Sequence, residues 1–187
     1  MDHHVDLDLL ADPEFAPHQL MNALFAKLHR ALVAQGSTDI GVSFPGVEPK
    51  APHLGHRLRL HGNQAALKAL MTTSWLTGMR DHVEQGAVTA VPTDAKHRVV
   101  RRVQVQSNTE RLRRRLMRRQ GLDPQAALAR IPDAAAEWLD LPYVTLRSTS
   151  TGQSFPLYID HGPLLPSPLP GPFNAYGLSP TATVPWF

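Results

Sequence analysis

The spacing of apolar residues along the first ninety positions predicts alternating strands and helices. Val5, Leu7 and Leu9 alternate with aspartates, as in a strand with one buried face. An apolar stripe at helical spacing then lies between Pro17 and Gly36, residue types that start and end helices. The pattern continues as strand, strand, helix and strand at residues 40–44, 57–61, 64–71 and 88–91. The order β-α-β-β-α-β is that of a ferredoxin-like module, the architecture shared by RNA-recognition domains.

The second half of the chain predicts further strands around an unusual helix. Residues 92–96 have the composition of a linker, and residues 98–106 alternate as a strand does. Ser107 and Glu110 have the spacing of a capping box, which predicts a helix from about residue 108 to residue 119. The remaining predicted elements are a short helix, two paired strands and an extended proline-rich loop, at residues 124–130, 143–148, 155–159 and 163–172.

The predicted fold class is therefore α+β. A ferredoxin-like domain similar to RNA-recognition domains is expected at residues 1–94, and an α+β domain with an arginine-rich helix is expected at residues 95–187. The chain has no cysteine, which excludes disulfides, thiolate metal sites and cysteine nucleophiles. No membrane span and no secretory signal are expected, and a cytoplasmic location is the ordinary expectation for such a composition.

Positive charge is concentrated in one segment. The formal net charge of the chain is only +3, but residues 98–119 hold nine arginines and a single acid, Glu110. The rest of the chain has more acidic than basic residues. A concentrated block of arginine favours binding to a polyanion, most often a nucleic acid, over a role in solubility alone.

The arginines of the predicted helix share one face. At about 100° per residue they cover an arc of about 140°, and they are Arg111, Arg114, Arg115, Arg118 and Arg119. Leu112 and Leu116 lie together on one flank and predict the docked side. The alternative is a solvated charged face, but such faces usually mix both signs at i,i+4 spacing. The arc favours a polyanion without distinguishing DNA from RNA.

Other candidate residues give weaker signals. Arg102 and Gln104 share one face of the predicted strand, and these side chain types pair with guanine and adenine. His29 lies at the edge of the apolar helical stripe, where the pattern alone favours a half-buried structural histidine over a catalytic one. The hydroxyl-rich segment 148–153 turns a hairpin or holds a phosphate, and the hairpin is favoured. His53 and His56 have ligand spacing without a third ligand nearby, so no metal site is predicted.

Long runs of the sequence resemble the CRISPR pre-crRNA processing endoribonucleases of type I-F systems. These runs are spread over the whole length and include residues 13–15, 19–21, 31–36, 40–45, 110–119, 141–142, 144–148, 150–153, 176–178 and 184–187. The resemblance implies an N-terminal ferredoxin-like domain and a C-terminal domain with the arginine helix. It also implies cleavage of repeat RNA at the base of a stem-loop without metal or another cofactor. The implied product is a 2′,3′-cyclic phosphate on a hairpin that stays bound.

The resemblance also implies roles for individual residues. The family's catalytic residues match His29, Ser148 and Tyr176. Its RNA contacts match Arg102 and Gln104 for the lowest base pairs, Phe155 for stacking on the terminal pair, Ser150 beside a phosphate, and Arg114, Arg115, Arg118 and Arg119 along the stem. The implied partners are the CRISPR repeat RNA hairpin, its crRNA product and other subunits of a type I-F surveillance complex, with one protein monomer per RNA and no membrane.

Two alternatives share the basic helix but not the reaction. A non-catalytic subunit that caps a guide RNA would make the same contacts with the hairpin and cleave nothing. A DNA-binding regulator would place the arginine helix in a major groove.

Overall fold

The computed structural model describes residues 1–48, 51–104, 109–132, 139–148 and 151–187, with only the backbone for residues 110 and 111. Within these ranges, no helix is both long and apolar enough to cross a membrane. The chain groups into two compact units, a larger one of residues 1–103 with 141–187 and a smaller one of residues 104–140. The division into domains at residues 94 and 95 stays a prediction.

The first sheet of the larger unit has the strand order of a ferredoxin-like fold. Its antiparallel order is β2-β3-β1-β4, where β1 is His3–Leu9, β2 is Gly41–Ser43, β3 is Arg57–Gly62 and β4 is Val83–Gln85. The short strand β5 (Thr89–Ala90) pairs with the start of β1. Helices α1 (Pro17–Gln35) and α2 (Gln64–Met71) connect these strands. The predicted ferredoxin-like order is thereby confirmed.

Helix α1 has the ends that its sequence predicts. It begins at Pro17, and Gly36 ends it in the left-handed conformation (φ 64°), with its N–H donating to the Leu32 carbonyl at 3.0 Å. The predicted apolar stripe is buried and consists of Leu20, Met21, Leu24, Phe25, Leu28 and Leu32. The helix packs against β1 and also against β7 (Tyr143–Arg147). Because the stripe is buried, the orientation of α1 is fixed, and His29 lies at the edge of the buried face.

The second sheet of the larger unit is built from the later strands. Its antiparallel order is β7-β8-β6-β9, where β6 is Lys96–Val103, β8 is Ser154–His161 and β9 is Thr183–Trp186. The predicted pairing of the strands near residues 143–148 and 155–159 is confirmed by β7 and β8. The proline-rich loop has one isolated bridge, between Leu165 and His97.

The alternation of apolar and polar residues does not predict strands β4 and β9 of the larger unit. Residues 83–85 contain a single apolar residue, so no alternation marks β4, and the predicted strand at residues 88–91 locates only β5. Strand β9 contains Pro185, which argues against a central strand. It lies at the edge of its sheet, the position where proline is tolerated.

The smaller unit contains helices α3 (Thr109–Gln120) and α4 (Pro124–Arg130), which pack on each other. As predicted, α3 ends at Gly121, which is left-handed (φ 64°) and donates its N–H to the Met117 carbonyl at 2.8 Å. The Asp123 side chain caps α4 by accepting from the N–H groups of residues 125 and 126. The predicted capping box at Ser107 and Glu110 lies outside the described residues.

Candidate functional site

A groove of about 360 Å³ in the larger unit brings together several predicted residues. Helix α1 and strands β7 and β8 supply most of its wall. The lining residues are Ala26, His29, Arg30, Val33, Ala34, Leu146, Arg147, Ser148, Phe155 and Tyr176. The three residues predicted as catalytic therefore share one groove with the predicted stacking residue, although up to 147 positions separate them in the chain.

The imidazole of His29 is held by a backbone carbonyl and by an aromatic ring. Its Nδ1 lies 2.8 Å from the carbonyl oxygen of Ala175. Because a carbonyl only accepts, Nδ1 carries the proton, and the neutral ring then keeps its lone pair on Nε2. The Tyr176 ring stacks on the imidazole with centroids 4.0 Å apart and an interplanar angle of 13°. These contacts fix both the tautomer and the orientation of His29.

Tyr176 is itself supported from the core. The buried Phe25 ring lies parallel to the Tyr176 ring within 3°, at a centroid distance of 6.4 Å. Phe25 and His29 are four residues apart on α1, so both project from the same side of the helix. The predicted function of Tyr176 in orienting His29 agrees with this geometry.

Ser148 follows the last residue of β7 and starts a tight turn. Its N–H donates to the Gln153 carbonyl at 2.9 Å, and its carbonyl accepts from the Gly152 N–H at 2.9 Å. Gly152 is left-handed (φ 68°), a conformation that the turn requires and that glycine adopts without strain. The Ser148 Oγ accepts from the Thr151 N–H at 3.3 Å. The favoured hairpin interpretation is correct for these residues, while Ser150 lies outside the described part of the chain.

One hydrogen bond joins the element that carries His29 to the element that carries Ser148. The Oδ1 of Asn22 on α1 accepts from the N–H of Thr145 on β7 at 2.9 Å. Sequence analysis missed Asn22. The available signal is that Asn22 lies seven residues before His29, two helical turns away on the same face.

Arg102 lies near two aromatic residues of the groove. Its guanidinium carbon lies 5.8 Å from the Tyr176 ring centroid and 5.9 Å from the Phe155 ring centroid, within the range of cation–π attraction. Its Nε is buried and has no hydrogen-bond partner in the described ranges. Strand β6 ends at Val103, so Gln104 follows the strand with an exposed side chain. Base contacts by Arg102 and Gln104 stay predictions.

The exposure of α3 agrees with the orientation predicted for it. The four arginines of α3 that are predicted to contact RNA are exposed, namely Arg114, Arg115, Arg118 and Arg119, whereas Leu112 and Leu116 are half-buried. Arg113, on another face, donates to the Ile131 carbonyl and to Thr109 Oγ1 at 3.4 Å and 3.3 Å. The side chain of Arg111 is outside the described residues.

His53, which has metal-ligand spacing to His56 in the sequence, contacts a different histidine in the fold. The His53 ring stacks on His18, with centroids 4.9 Å apart and an angle of 15° between the rings. Among the residues that the structure describes, no three His, Asp or Glu side chains cluster closely enough to hold a metal ion.

The sequence profile of a family described as "CRISPR-associated protein (Cas_Csy4)" matches residues 4–187. The chain belongs to this family. The match spans both compact units, so the likeness to the Csy4 family extends beyond one shared fold. The family resemblance stated from the sequence is confirmed.

Two relatives in the Csy4 family match the chain from end to end. The "CRISPR-associated endonuclease Cas6/Csy4" of Pseudomonas aeruginosa (strain UCBPP-PA14) is 54% identical over 187 residues, which are 100% of both chains. The protein of the same name from Escherichia coli (strain UTI89 / UPEC) is 48% identical over 187 residues, again 100% of both.

Proposed function

We propose that this member of the Csy4 family is an endoribonuclease that cleaves CRISPR repeat RNA at the base of a stem-loop. The observation that carries the proposal is the shared groove of His29, Ser148, Phe155 and Tyr176. It occurs in a chain that is similar over its full length to proteins named CRISPR-associated endonucleases. An imidazole can transfer a proton in RNA strand cleavage, a hydroxyl can position the ribose by a hydrogen bond, and half-buried aromatic rings can stack on bases.

The RNA supplies the nucleophile in this mechanism. The Nε2 of His29 takes the proton of the ribose 2′-hydroxyl, which Ser148 positions by a hydrogen bond. The O2′–phosphorus bond forms while the bond from phosphorus to the 5′-oxygen breaks, and the leaving oxygen takes a proton from solvent water. The products are a 2′,3′-cyclic phosphate and a free 5′-hydroxyl. Tyr176 keeps His29 aligned, and no metal ion takes part in any step.

The RNA-binding residues set the register of the cut. Phe155 stacks on the terminal base pair, and Arg102 and Gln104 contact the lowest pairs of the stem. The exposed arginines of α3 bind stem phosphates, since guanidinium groups bond two phosphate oxygens at once. Ser150 contacts a phosphate beside the site. One protein monomer then keeps the crRNA hairpin and joins other subunits of a type I-F surveillance complex in the cytoplasm, away from membranes.

The proposal is tested with labelled repeat RNA and with the same RNA carrying a single 2′-deoxyribose at the cleavage nucleotide, both in EDTA. We expect the first RNA to be cut to a cyclic phosphate and the second to bind equally well and stay intact. Cleavage of the deoxy substrate would exclude attack by the 2′-hydroxyl. Binding of both RNAs without any cut would support the capping subunit, and preference for duplex DNA would support a regulator.

A further inference from the structure

The groove extends along α1 beyond the residues that the proposed reaction uses. Ala26, Arg30, Val33 and Ala34, called here the α1 strip, line it together with His29. Their spacing of three, four and seven residues places them on one helical face. Arg30 is exposed and Val33 is 57% exposed, so the α1 strip is open to solvent. Neither Arg30 nor Val33 is therefore buried in the core.

Arg30 is not neutralised by its own helix. Helix α1 contains no acidic residue, and the positions three and four residues from Arg30 are Ala26, Lys27, Val33 and Ala34. Lys27 is engaged elsewhere, donating to the Thr77 carbonyl at 2.6 Å. Within the described ranges, Arg30 has neither a hydrogen bond nor an ion pair. A guanidinium in this condition is available to an anion from solution.

The described side chains that line the groove are all positively charged or neutral. Arg147 of β7 is a second exposed arginine in the lining, and its Nε donates to the Gly152 carbonyl at 2.9 Å. Among the residues that the structure describes, no acidic side chain lines the groove. Single-stranded nucleic acid binds where cationic groups contact its phosphates and neighbouring apolar or aromatic side chains contact its bases. The groove has both, since its arginines and Val33 are exposed and its aromatic rings are half-buried.

The proposed reaction determines which strand this combination would meet. The hairpin product keeps the cyclic phosphate, so the leaving strand is the single-stranded flank 3′ to the cut. Phe155 and Arg102 are assigned to the foot of the stem. The α1 strip also borders His29, and no residue of the strip is assigned to the stem. It is therefore available to RNA on the 3′ side of the scissile phosphate.

We propose that the α1 strip binds the 3′ flank of the RNA. Arg30 contacts the first phosphate after the scissile one, and Val33 packs on the ribose or base between them. This inference rests on the proposed function. The contact holds the leaving 5′-oxygen in line with the attacking 2′-hydroxyl before the cut. After the cut only this small contact retains the flank, so the flank dissociates while the hairpin stays bound.

The test compares two substrates that share one hairpin and cleavage site. One ends a single nucleotide after the cut and has no phosphate beyond the scissile one, whereas the other has a six-nucleotide flank. Single-turnover kcat/KM is measured for both. For the unaltered protein we expect the longer substrate to react about tenfold faster, the scale of one charge-assisted contact. Arg30→Gln lowers this ratio to near one and reduces the salt slope on the long substrate by about 0.7.

Two further variants sharpen the result. Arg80→Gln removes another exposed arginine that does not line this groove, and it keeps the ratio of the unaltered protein. Val33→Glu places a carboxylate on the α1 strip at an exposed helical position where folding tolerates it, and it lowers the ratio below one.

The outcomes separate this inference from the proposed function. Equal slowing of both substrates by Arg30→Gln would place Arg30 at the scissile phosphate or the stem and overturn the flank assignment. A ratio of one for the unaltered protein would overturn it as well. Failure of the unaltered protein to cut either substrate would overturn the proposed function itself.

Discussion

A hydroxyl and an imidazole lie together in the core of the larger unit, and another such combination lines its groove; the two differ in access to solvent. In the core, the Ser43 Oγ and the His61 Nε2 lie 2.7 Å apart, and the two residues are only 1% and 0% exposed. In the groove, His29 and Ser148 line an open wall that an RNA strand can reach. The core pair has the hydrogen-bond distance that is expected between a nucleophilic hydroxyl and its base. Its burial shows that access, and not hydrogen-bond length, distinguishes the candidate site.

Burial also determines the pKa of the histidine in the core pair. Burial holds the pKa of His61 well below its usual value, and the nearby positive charge of Arg59 lowers it further. A strongly shifted pKa often marks an active site, but here it marks a neutral histidine that bonds a core hydroxyl. The groove histidine is identified instead by its carbonyl partner, its stacked tyrosine and its position in an accessible wall.

The largest expected contrast comes from removing the groove imidazole. His29→Ala should lower the single-turnover cleavage rate by about 10²–10⁴-fold, the usual contribution of a general base. The side chain is at the edge of the core, so the melting temperature and the affinity for a non-cleavable deoxy hairpin should change little. Both are measured on the same preparation. Loss of hairpin binding would show that His29 has more than a chemical role.

Removing the core imidazole should have the opposite signature. His61→Ala leaves a cavity and an unpaired Ser43 hydroxyl, so we expect the free energy of unfolding in urea to fall by about 3 kcal/mol. The cleavage rate per folded molecule should stay the same. The double variant Ser43→Ala, His61→Leu removes both polar partners and should recover part of the loss. A rate loss in folded His61→Ala would contradict the separation of the two pairs.

The sequence predicts local structure around the two histidines better than it predicts contacts between distant residues. Pro17, Gly36 and the apolar stripe define α1 and place His29 at its edge, because helix periodicity is a local property. The core pair depends on the register of β2 against β3, and the Asn22 bond joins residues 123 positions apart. Neither leaves a periodic signal. The predicted role of Ser148 rests on the family resemblance, since its residue pattern alone favours a simple turn.

The half-buried His161 predicts that the fold loses stability in acid. Burial, and next the charge of Arg98, lowers the pKa of His161 to about 4, while Asp160 opposes this shift. Between the unfolded pKa of 6.5 and pH 4 the unfolded chain binds more protons, so stability falls as pH falls. We expect a loss of about 2 kcal/mol from His161 between pH 7 and pH 5.

Urea unfolding at a series of pH values measures this loss. Burial also lowers the pKa values of His61, His4 and His97, and each adds to stability loss in the same direction. The lowered carboxylate pKa values, such as that of Asp6, affect stability below the usual aspartate pKa of 3.8 and therefore outside this window. His161→Gln should flatten the pH dependence. An unchanged slope in this variant would assign the acid sensitivity to other groups.

The smallest expected effect comes from a variant that tests what keeps His29 aligned with Ser148. Asn22→Ala removes the acceptor of the Thr145 N–H, and since Thr145 is exposed, water replaces it at a cost of about 1 kcal/mol in stability. If this bond aligns α1 with β7, the single-turnover cleavage rate should fall about threefold to tenfold with hairpin affinity unchanged, because small displacements of reacting groups are costly. Asn22→Asp keeps an acceptor oxygen and should restore much of the rate. A loss of rate only in proportion to the unfolded fraction would make Asn22 a structural residue, and the alignment of His29 with Ser148 would then come from packing of α1 on β7 alone.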